Sequence, residues 1–191
     1  MATYPYLAQI AWNVVEKFLE DWQGEPYRWS REIDIQTEIS SRISSIYRNI
    51  GKDTVKGNYR GAVLGFEHNQ IWNRVCCEPK ISYVYKDGKR YSCYPDIVIW
   101  EDIENPDAPP DATGESNWPM LWVCEIKFEG EMEENWDIEK MKYLLIQNDA
   151  KYACWLNLFR KRAKTGNGIT WEKSIENERL WVCTATLPAL R

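Results

Sequence analysis

The feature that most constrains the fold is a charged pair inside an otherwise apolar segment. Residues 121–128 read Leu-Trp-Val-Cys-Glu-Ile-Lys-Phe, a run typical of a buried strand except for Glu125 and Lys127. Because side chains alternate between the faces of a strand, Glu125 and Lys127 share one face, while Cys124 and Ile126 share the other. Burying charge is costly unless the charge is paired or binds an ion, so this strand requires a charged neighbour.

A second apolar segment can supply that neighbour. Residues 95–100 read Pro-Asp-Ile-Val-Ile-Trp, and alternation places Asp96 on one face together with Val98 and Trp100. If the two segments are adjacent strands, Asp96, Glu125 and Lys127 converge at one spot. The sequence therefore predicts a cluster of two acids and an amine.

Two amphipathic helices are predicted to precede these strands, together covering residues 4–50. Apolar residues recur at helical spacing from residue 4 to about residue 20, and Gly24-Glu25-Pro26 ends the pattern. The second helix carries isoleucines that step by four, three and four: Ile39, Ile43, Ile46 and Ile50. Asp34 or Ser30 is the expected N-cap, and Gly51 is the stop signal.

Strand patterns dominate the rest of the chain, with one further helix. The predicted strands lie at 71–77, 80–85, 91–100, 121–128, 152–159 and 180–187. Asp87-Gly88 predicts a hairpin turn, and a second turn is predicted at 165–168. Asp137 is the expected cap of a helix whose apolar face is Ile138, Met141, Leu144 and Leu145.

This element order predicts a single α/β domain over residues 1–191, with a central mixed β-sheet flanked by helices. The segment 102–118 is rich in proline and acids and is predicted to be a loop insert. A length of 191 residues suits one domain.

Composition excludes several classes of protein. Hydrophobic residues make up 44% of the chain and charged residues 28%, which excludes collagen-like and disordered chains. No apolar run approaches the roughly 18 residues of a transmembrane helix, and no signal peptide is recognisable, so a cytoplasmic protein is expected. The six cysteines and the single histidine form no zinc-binding pattern, and the cysteines are predicted to be reduced core thiols.

Pro95-Asp96 followed by Glu125-Ile126-Lys127 on the next strand resembles the PD-(D/E)XK nuclease superfamily, which has the restriction-endonuclease-like fold. The likeness includes a preceding helix that bears Glu38, a hydrophobic strand around each motif and a helix after the second, and it covers roughly residues 30 to 160. It implies a magnesium-dependent hydrolase of phosphodiester bonds in nucleic acid, with a DNA endonuclease as the expected activity. By analogy, small nucleases of this type often belong to phage, mobile-element or defence systems.

The resemblance also implies roles for individual residues. Asp96 and Glu125 are expected to bind Mg²⁺, or Mn²⁺ as its substitute, with the backbone carbonyl of Ile126 as a third oxygen ligand. Glu38 is expected to bind the ion directly or through water, or to hold a second ion. Lys127 is expected to orient the attacking water and to offset charge that develops on the phosphate.

The acid on the helix has competing assignments. Glu38 can instead pair with Arg42 one helical turn later, an interaction worth only about 0.3–0.5 kcal/mol on a surface. Glu32 is the alternative site acid if the helix register differs.

Binding of the nucleic-acid backbone is expected from a basic run that comprises Arg160, Lys161, Arg162 and Lys164. Lys140, on the helix after the second motif, is a further candidate, although a solvated helix face is the competing interpretation. The net charge of −5 argues against indiscriminate binding, but the acids are concentrated in the insert and after the second motif, which would leave the opposite rim comparatively basic. One carboxylate cluster cuts one strand per binding event, so double-strand cleavage would favour a homodimer.

Two other functions remain open. A catalytically inactive protein of the same fold could serve as a binding or assembly module, and its mark would be a salt bridge from Lys127 to Asp96 or to Glu125. Alternatively, exposed tryptophans could form a partner surface, with Trp118, Trp136 and Trp171 as anchors.

Overall fold

The fold consists of a mixed β-sheet with helices on both faces and two separate β-ribbons. The computed structural model describes residues 5–60, 67–85, 87–102, 119–129, 134–147, 150–173 and 179–190. The helices in these ranges are α1 (Tyr6–Gly24), α2 (Glu32–Asn49) and α3 (Glu134–Ile146). The strands are β1 (Thr54–Arg60), β2 (Glu67–Asn73), β3 (Val75–Cys77), β4 (Ile81–Val84), β5 (Arg90–Cys93), β6 (Ile97–Trp100), β7 (Met120–Phe128), β8 (Ala150–Arg162), β9 (Ile169–Lys173) and β10 (Leu180–Leu187).

The central sheet has the strand order β3-β6-β7-β8-β10-β9. Strands β3, β6 and β7 pair antiparallel, β7, β8 and β10 pair parallel, and β9 is antiparallel to β10. The parallel pair β7 and β8 is joined by α3, because parallel strands require a crossover connection. β1 with β2 and β4 with β5 form the two-stranded ribbons. The predicted α/β class with a mixed, helix-flanked sheet is confirmed.

The two faces of the sheet bury different helices. Trp122, Cys124 and Ile126 of β7 belong to the apolar core that contains α1 and α2. Val123 of β7 lies in a second core with Val98 of β6 and the buried face of α3. The alternation predicted from the sequence therefore holds, and the face that carries Glu125 and Lys127 is the α3 face.

Helix α2 buries the first half of the predicted isoleucine stripe, Ile39 and Ile43, but not the second half. Ile35, Ile39, Ile43 and Tyr47 are fully buried, while Ile46 and Ile50 remain 38% and 39% exposed. Tyr47 takes the inward position because its hydroxyl donates a hydrogen bond to the Leu7 carbonyl of α1 at 2.7 Å. Gly51 ends the helix as predicted, with a φ of 66° that glycine adopts without strain.

The start of α2 also differs from the prediction. The helix begins at Glu32, so Asp34 is its third residue rather than its N-cap. The Asp34 carboxylate reaches back and accepts hydrogen bonds from the backbone N–H groups of Ser30 and Arg31, at 3.2 and 3.0 Å. The Ser30 hydroxyl and the Arg31 guanidinium also donate to it. The Asp34 carboxylate thereby satisfies the backbone N–H of the N-cap residue Arg31, a donor that the helix itself leaves unpaired.

The predicted strand 71–77 is two strands in two sheets, separated by Arg74. The Arg74 side chain is buried, and its guanidinium donates to the carbonyls of Lys52, Thr54 and Trp100. It also forms an ion pair with Asp102. A buried guanidinium needs such a set of acceptors, which fixes the point where β2 leaves its ribbon and β3 enters the central sheet.

The predicted strand 91–100 is likewise divided between sheets. β5 pairs with β4 in a hairpin, and β6 then enters the central sheet after Tyr94-Pro95-Asp96. The Asp87-Gly88 turn is present, since Gly88 has a φ of 76° and Lys89 N–H donates to Asp87 Oδ1 at 2.9 Å. In the parts of the chain that the structure describes, β1 and β9 are strands that the sequence did not predict. Most of the predicted insert, residues 103–118, lies outside those parts.

The cysteines and the helices bear on two further expectations. All six cysteines are free thiols; Cys93, Cys124, Cys154 and Cys183 are buried, whereas Cys77 is exposed, so the prediction of core thiols is wrong for Cys77. Among the described helices, none has the length and apolarity to cross a membrane.

The Asp34 contacts at the start of α2 predict a pH-dependent stability. The Arg31 guanidinium, together with the Ser30 donors, lowers the pKa of Asp34 from 3.8 to about 2. A carboxylate with a depressed folded-state pKa stabilises the fold above its unfolded pKa and loses that effect as the pH falls towards its folded pKa. We expect Asp34→Asn to lower the free energy of unfolding at pH 7, and the gap to wild type to narrow between about pH 4 and pH 2.

Urea denaturation from pH 7 to pH 2.5 measures this gap. Glu16→Gln, which removes an exposed carboxylate from α1, is the control for loss of a surface negative charge. A wild-type advantage that stays constant down to pH 2.5 would contradict the account of α2.

Candidate active site

The pairing of β6 with β7 brings the two acidic motifs together. Ile97 pairs with Cys124, so continuing the register by one residue places Asp96 opposite Glu125. Asp96 Oδ2 accepts a hydrogen bond from the backbone N–H of Ile126 at 2.6 Å. The exposed fraction is only 8% for Asp96 and 5% for Glu125. The structure thus places two buried carboxylates side by side at the N-terminal end of β6.

Two lysines hold the Glu125 carboxylate. Lys127 Nζ donates to Glu125 Oε1 at 3.1 Å. Lys140 Nζ, from α3, lies 3.0 Å from Glu125 Oε2 in an ion pair. This contact is an ion pair and not a hydrogen bond, and Glu125 Oε2 is a buried oxygen that accepts no hydrogen bond. Lys127 lies where the sequence predicted it, whereas Lys140 is buried rather than solvated and is not positioned to bind a nucleic-acid backbone.

Asp137 joins the same cluster from the first half of α3. Its carboxylate lies 3.4 Å from Lys127 Nζ and 3.2 Å from Lys140 Nζ. The residue lies inside α3, which begins at Glu134, so its predicted role as the helix cap is wrong. Asp137 and Lys140 face the site together because residues three apart lie on the same side of a helix.

The acid that α2 contributes is Glu32 rather than Glu38. Burial is the largest effect on Glu32 and raises its pKa, and the charges of Lys127 and Glu125 and the Phe128 N–H also act on it. Glu38 instead pairs with Arg42 at 2.7 Å, and Arg42 bridges to Asp21 of α1. Six residues along a helix correspond to a rotation of about 240°, so Glu32 and Glu38 cannot serve the same face.

The α2 face that bears Glu32 also fixes the position of Asp96. Gln36, one turn after Glu32, is 1% exposed, and its Nε2 donates to the Asp96 carbonyl oxygen at 2.7 Å. Glu78 N–H donates to the same oxygen at 3.2 Å. These bonds hold the backbone at Asp96 in place before β6 begins.

Asn157 of β8 is a further polar residue in this region. It pairs with Lys127 in the parallel register of β7 and β8 and therefore lies on the same face. It is 2% exposed, and its Oδ1 makes no hydrogen bond. The sequence reasoning missed it because Asn157 is a single polar residue within the apolar strand pattern of residues 152–159.

The electrostatics of the cluster follow from its excess of acids. Burial and the neighbouring Glu125 charge raise the pKa of Asp96 to about 7. Burial alone would lower the pKa of Lys127 and of Lys140, but the carboxylates of Glu125 and Asp137 raise both. Both lysines therefore stay charged, while the neighbouring Glu125 charge disfavours ionisation of Asp96.

This charge distribution fits a divalent cation. The carboxylates of the cluster are four, and its ammonium groups are those of Lys127 and Lys140. The four acids are Asp96, Glu125, Asp137 and Glu32. If all of these groups are ionised, two negative charges have no counter-charge. Carboxylate oxygens are the ligands that Mg²⁺ prefers, although Lys140 Nζ already lies 3.0 Å from the buried Glu125 Oε2. Among the residues that the structure describes, no three His, Cys, Asp or Glu side chains are gathered closely enough to hold an ion as they stand. Lys127 and Lys140 lie between the acids of β7 and α3.

The basic run predicted for backbone binding is only partly available. Arg160 is engaged within the protein, since Nε donates to Pro26 O at 3.1 Å and Nη2 to Trp29 O at 2.7 Å. Lys161, Arg162 and Lys164 are exposed, and Arg162 Nη1 also donates to Pro188 O at 3.1 Å. These three side chains remain candidates for contact with a phosphate backbone.

The tryptophans named as partner anchors have different environments. Trp171 is partly buried and packs edge-on against Trp12 and Trp181, at centroid distances of 6.0 Å each. Trp136 is 47% exposed. Trp118 lies outside the described residues.

Comparison of the chain with protein-family models, with curated proteins and with solved structures gives no match. The assignment of function therefore depends on the geometry of the cluster.

The ion pairs of Glu125 predict a large difference between two lysines of α3. Lys140→Met leaves buried carboxylates with one counter-charge fewer, so we expect a loss of about 3–5 kcal/mol in the free energy of unfolding without added metal. Lys142→Met is the matched control, because Lys142 pairs with the partly exposed Glu139 on the same helix. For a pair of that exposure we expect a loss below about 1 kcal/mol.

Urea denaturation of the two variants and of wild type in EDTA measures both values. If Lys140→Met and Lys142→Met lowered the free energy of unfolding equally, burial of the Glu125 charge would not depend on its ion pair with Lys140.

Proposed function

We propose that the protein is a divalent-metal-dependent nuclease that hydrolyses phosphodiester bonds, with DNA as the expected substrate. The observation that carries the proposal is the juxtaposition of Asp96 and Glu125, two buried carboxylates on adjacent strands. Lys127 follows Glu125 on the same face. A buried excess of negative charge with a lysine at its edge suits a metal ion and a phosphate better than it suits a structural core.

The element order around the cluster supports the proposal. A helix bearing a site-facing acid precedes the Pro-Asp strand, the Glu-X-Lys strand is its antiparallel neighbour, and a helix follows. These are the elements on which the resemblance to the PD-(D/E)XK superfamily depends.

Each residue has a role in this proposal. Asp96 and Glu125 would hold the cation, with the Ile126 carbonyl as a third oxygen and Glu32, in place of Glu38, as the acid from α2. A bound Mg²⁺ or Mn²⁺ would lower the pKa of a coordinated water and polarise the phosphate. Lys127, whose side chain is 34% exposed, would face the substrate phosphate and offset charge that develops there. Lys140 is too deeply buried to meet substrate and would position Glu125.

A single cluster can cut one strand in one binding event. Cleavage of both strands of a duplex would therefore require two copies of the chain, and a homodimer is part of the proposal for that substrate alone.

The second candidate function is an inactive module of the same fold that binds nucleic acid or protein. The observation that favours it is the Glu125–Lys127 ion pair at 3.1 Å, because a lysine bound to the acid can replace the metal as its counter-charge. If the protein is such a module, it binds its partner but cleaves no nucleic acid under any metal condition.

A cleavage assay separates the two candidates. We expect wild type to cut nucleic acid in Mg²⁺ or Mn²⁺ and to be inactive in EDTA, on a panel of linear, circular and single-stranded DNA and RNA. Asp96→Asn, Glu125→Gln and Lys127→Met should each lower the rate at least about 100-fold, because each removes a group that acts on the reacting phosphate or its cation.

The two acids of α2 provide an internal control. Glu32→Gln should lower the rate by a similar factor, whereas Glu38→Gln should keep it within about threefold because Glu38 contacts Arg42 instead. Absence of cleavage by wild type on every substrate and with both metals would favour the inactive module. If Glu38→Gln lost activity and Glu32→Gln did not, Glu38 would be the acid that α2 contributes to the site.

A further inference from the structure

Two exposed aromatic side chains stand next to the acids of the cluster in the chain. Trp136 is 47% exposed and directly precedes Asp137, whose carboxylate contacts Lys127. Tyr94 is 57% exposed and lies two residues before Asp96. Large apolar rings at the edge of a charged cluster need an explanation, because most aromatic surface in a folded chain is buried.

The Trp136 ring has a fixed aromatic support. It packs on Tyr85 of the ribbon formed by β4 and β5, with the ring centroids 5.4 Å apart. Tyr85 in turn packs on Tyr143 of α3 at 4.7 Å and on Tyr91 at 5.9 Å. The ribbon and α3 thus support the tryptophan through a tilted ring contact, while the residue stays 47% exposed.

The surroundings distinguish Trp136 from the other aromatic cluster of the protein. Trp12, Trp122 and Trp181 pack together in the core between α1 and the sheet. Trp136 and Tyr85 lie on the opposite, α3 side, where the carboxylates and lysines are. The first cluster is core packing, and the second is an aromatic surface beside a charged site.

We propose that Trp136, supported by Tyr85, stacks on an unpaired base next to the phosphate that the cluster would hydrolyse, which makes single-stranded nucleic acid the substrate class. This inference rests on the proposed nuclease function and specifies its substrate. Trp136 and Asp137 are consecutive residues of α3, so the ring and the carboxylate that contacts Lys127 leave the helix about 100° apart around its axis. A base stacked on the ring would lie beside the cluster, with its phosphate towards Lys127.

The chemistry of the surface favours this occupant over a protein partner. A base offers a flat π-face to a single supported ring and carries its anionic phosphate towards an exposed ammonium group. Lys127 is that ammonium group, and Lys89 of the neighbouring ribbon is also largely exposed. A protein that covered Trp136 would also cover the partly exposed Lys127 ammonium group and would need an acid to match it.

The test is binding of fluorescein-labelled oligonucleotides, followed by anisotropy, in Ca²⁺ as a divalent cation that supports binding with little hydrolysis. The probes are single-stranded DNA, single-stranded RNA and duplex DNA of equal length. The proteins are wild type, Trp136→Ala, Trp136→Phe and the control Tyr6→Ala, which removes an exposed ring from α1 on the other side of the sheet.

We expect Trp136→Ala to weaken binding of the single strands by about 5- to 100-fold and to leave duplex binding within about twofold of wild type. Trp136→Phe should recover most of the lost affinity, since it restores a ring, and Tyr6→Ala should match wild type. A purely structural role of Trp136 would weaken duplex and single-strand binding alike, and it would lower the thermal midpoint of Trp136→Ala.

Three results overturn the inference: no single-strand binding by wild type, unchanged single-strand affinity in Trp136→Ala, or loss of self-association in Trp136→Ala at unchanged affinity. The last would assign the ring to contact with a second copy of the chain. Single-strand binding that depends on Trp136 without cleavage in Mn²⁺ would support the stacking site and contradict the nuclease. Cleavage that is indifferent to Trp136 would support the nuclease and contradict the stacking site.

Discussion

Neutralisation of Glu125 inside the sheet is the constraint on which the rest of the structure depends. This carboxylate projects from the middle strand of an apolar sheet, where an isolated charge is not tolerated. Lys127 comes from the same strand and Lys140 from α3, so the ion pairs also fix α3 against the sheet. The same ion pairs therefore neutralise Glu125 and hold α3 in place on the sheet.

The compensation is incomplete, and this points to function. Asp96 lies beside Glu125, and burial together with that neighbouring charge raises the pKa of Asp96 to about 7. A fold selected only for stability could replace these acids by apolar residues at little cost. Clusters of buried groups that disturb one another's ionisation are typical of sites that bind ions or substrates. A divalent cation would supply the positive charge that the two lysines do not.

The sequence predicted the part of the site that short-range geometry determines. Alternation along β7 placed Glu125 and Lys127 on one face, and the two motif strands proved to be neighbours in the sheet. The contributions of the helices depended on long-range packing. The choice between Glu32 and Glu38 depends on how α2 is rotated about its axis, and the isoleucine spacing was right for Ile39 and Ile43 but wrong for Ile46 and Ile50. Tyr47 sets that rotation through its bond to Leu7, a contact across 40 residues that no local pattern contains.

Similar reasons explain the other differences in the fold. Arg74 breaks a continuous strand pattern because its guanidinium needs buried carbonyl acceptors from distant segments. Lys140 and Asp137 have the spacing of an ordinary surface ion pair, and only the crossover connection turns them towards Glu125. Patterns of two to four residues are readable from the sequence, whereas the partner of a charged side chain depends on which elements meet.

Calorimetric titration of the metal-free protein with Mn²⁺ tests most directly whether the carboxylate cluster is a cation site. We predict that wild type and Glu38→Gln bind Mn²⁺ with equal affinity, and that Asp96→Asn and Glu125→Gln lose that binding. No Mn²⁺ binding by wild type, or binding that survives in both Asp96→Asn and Glu125→Gln, would contradict the account.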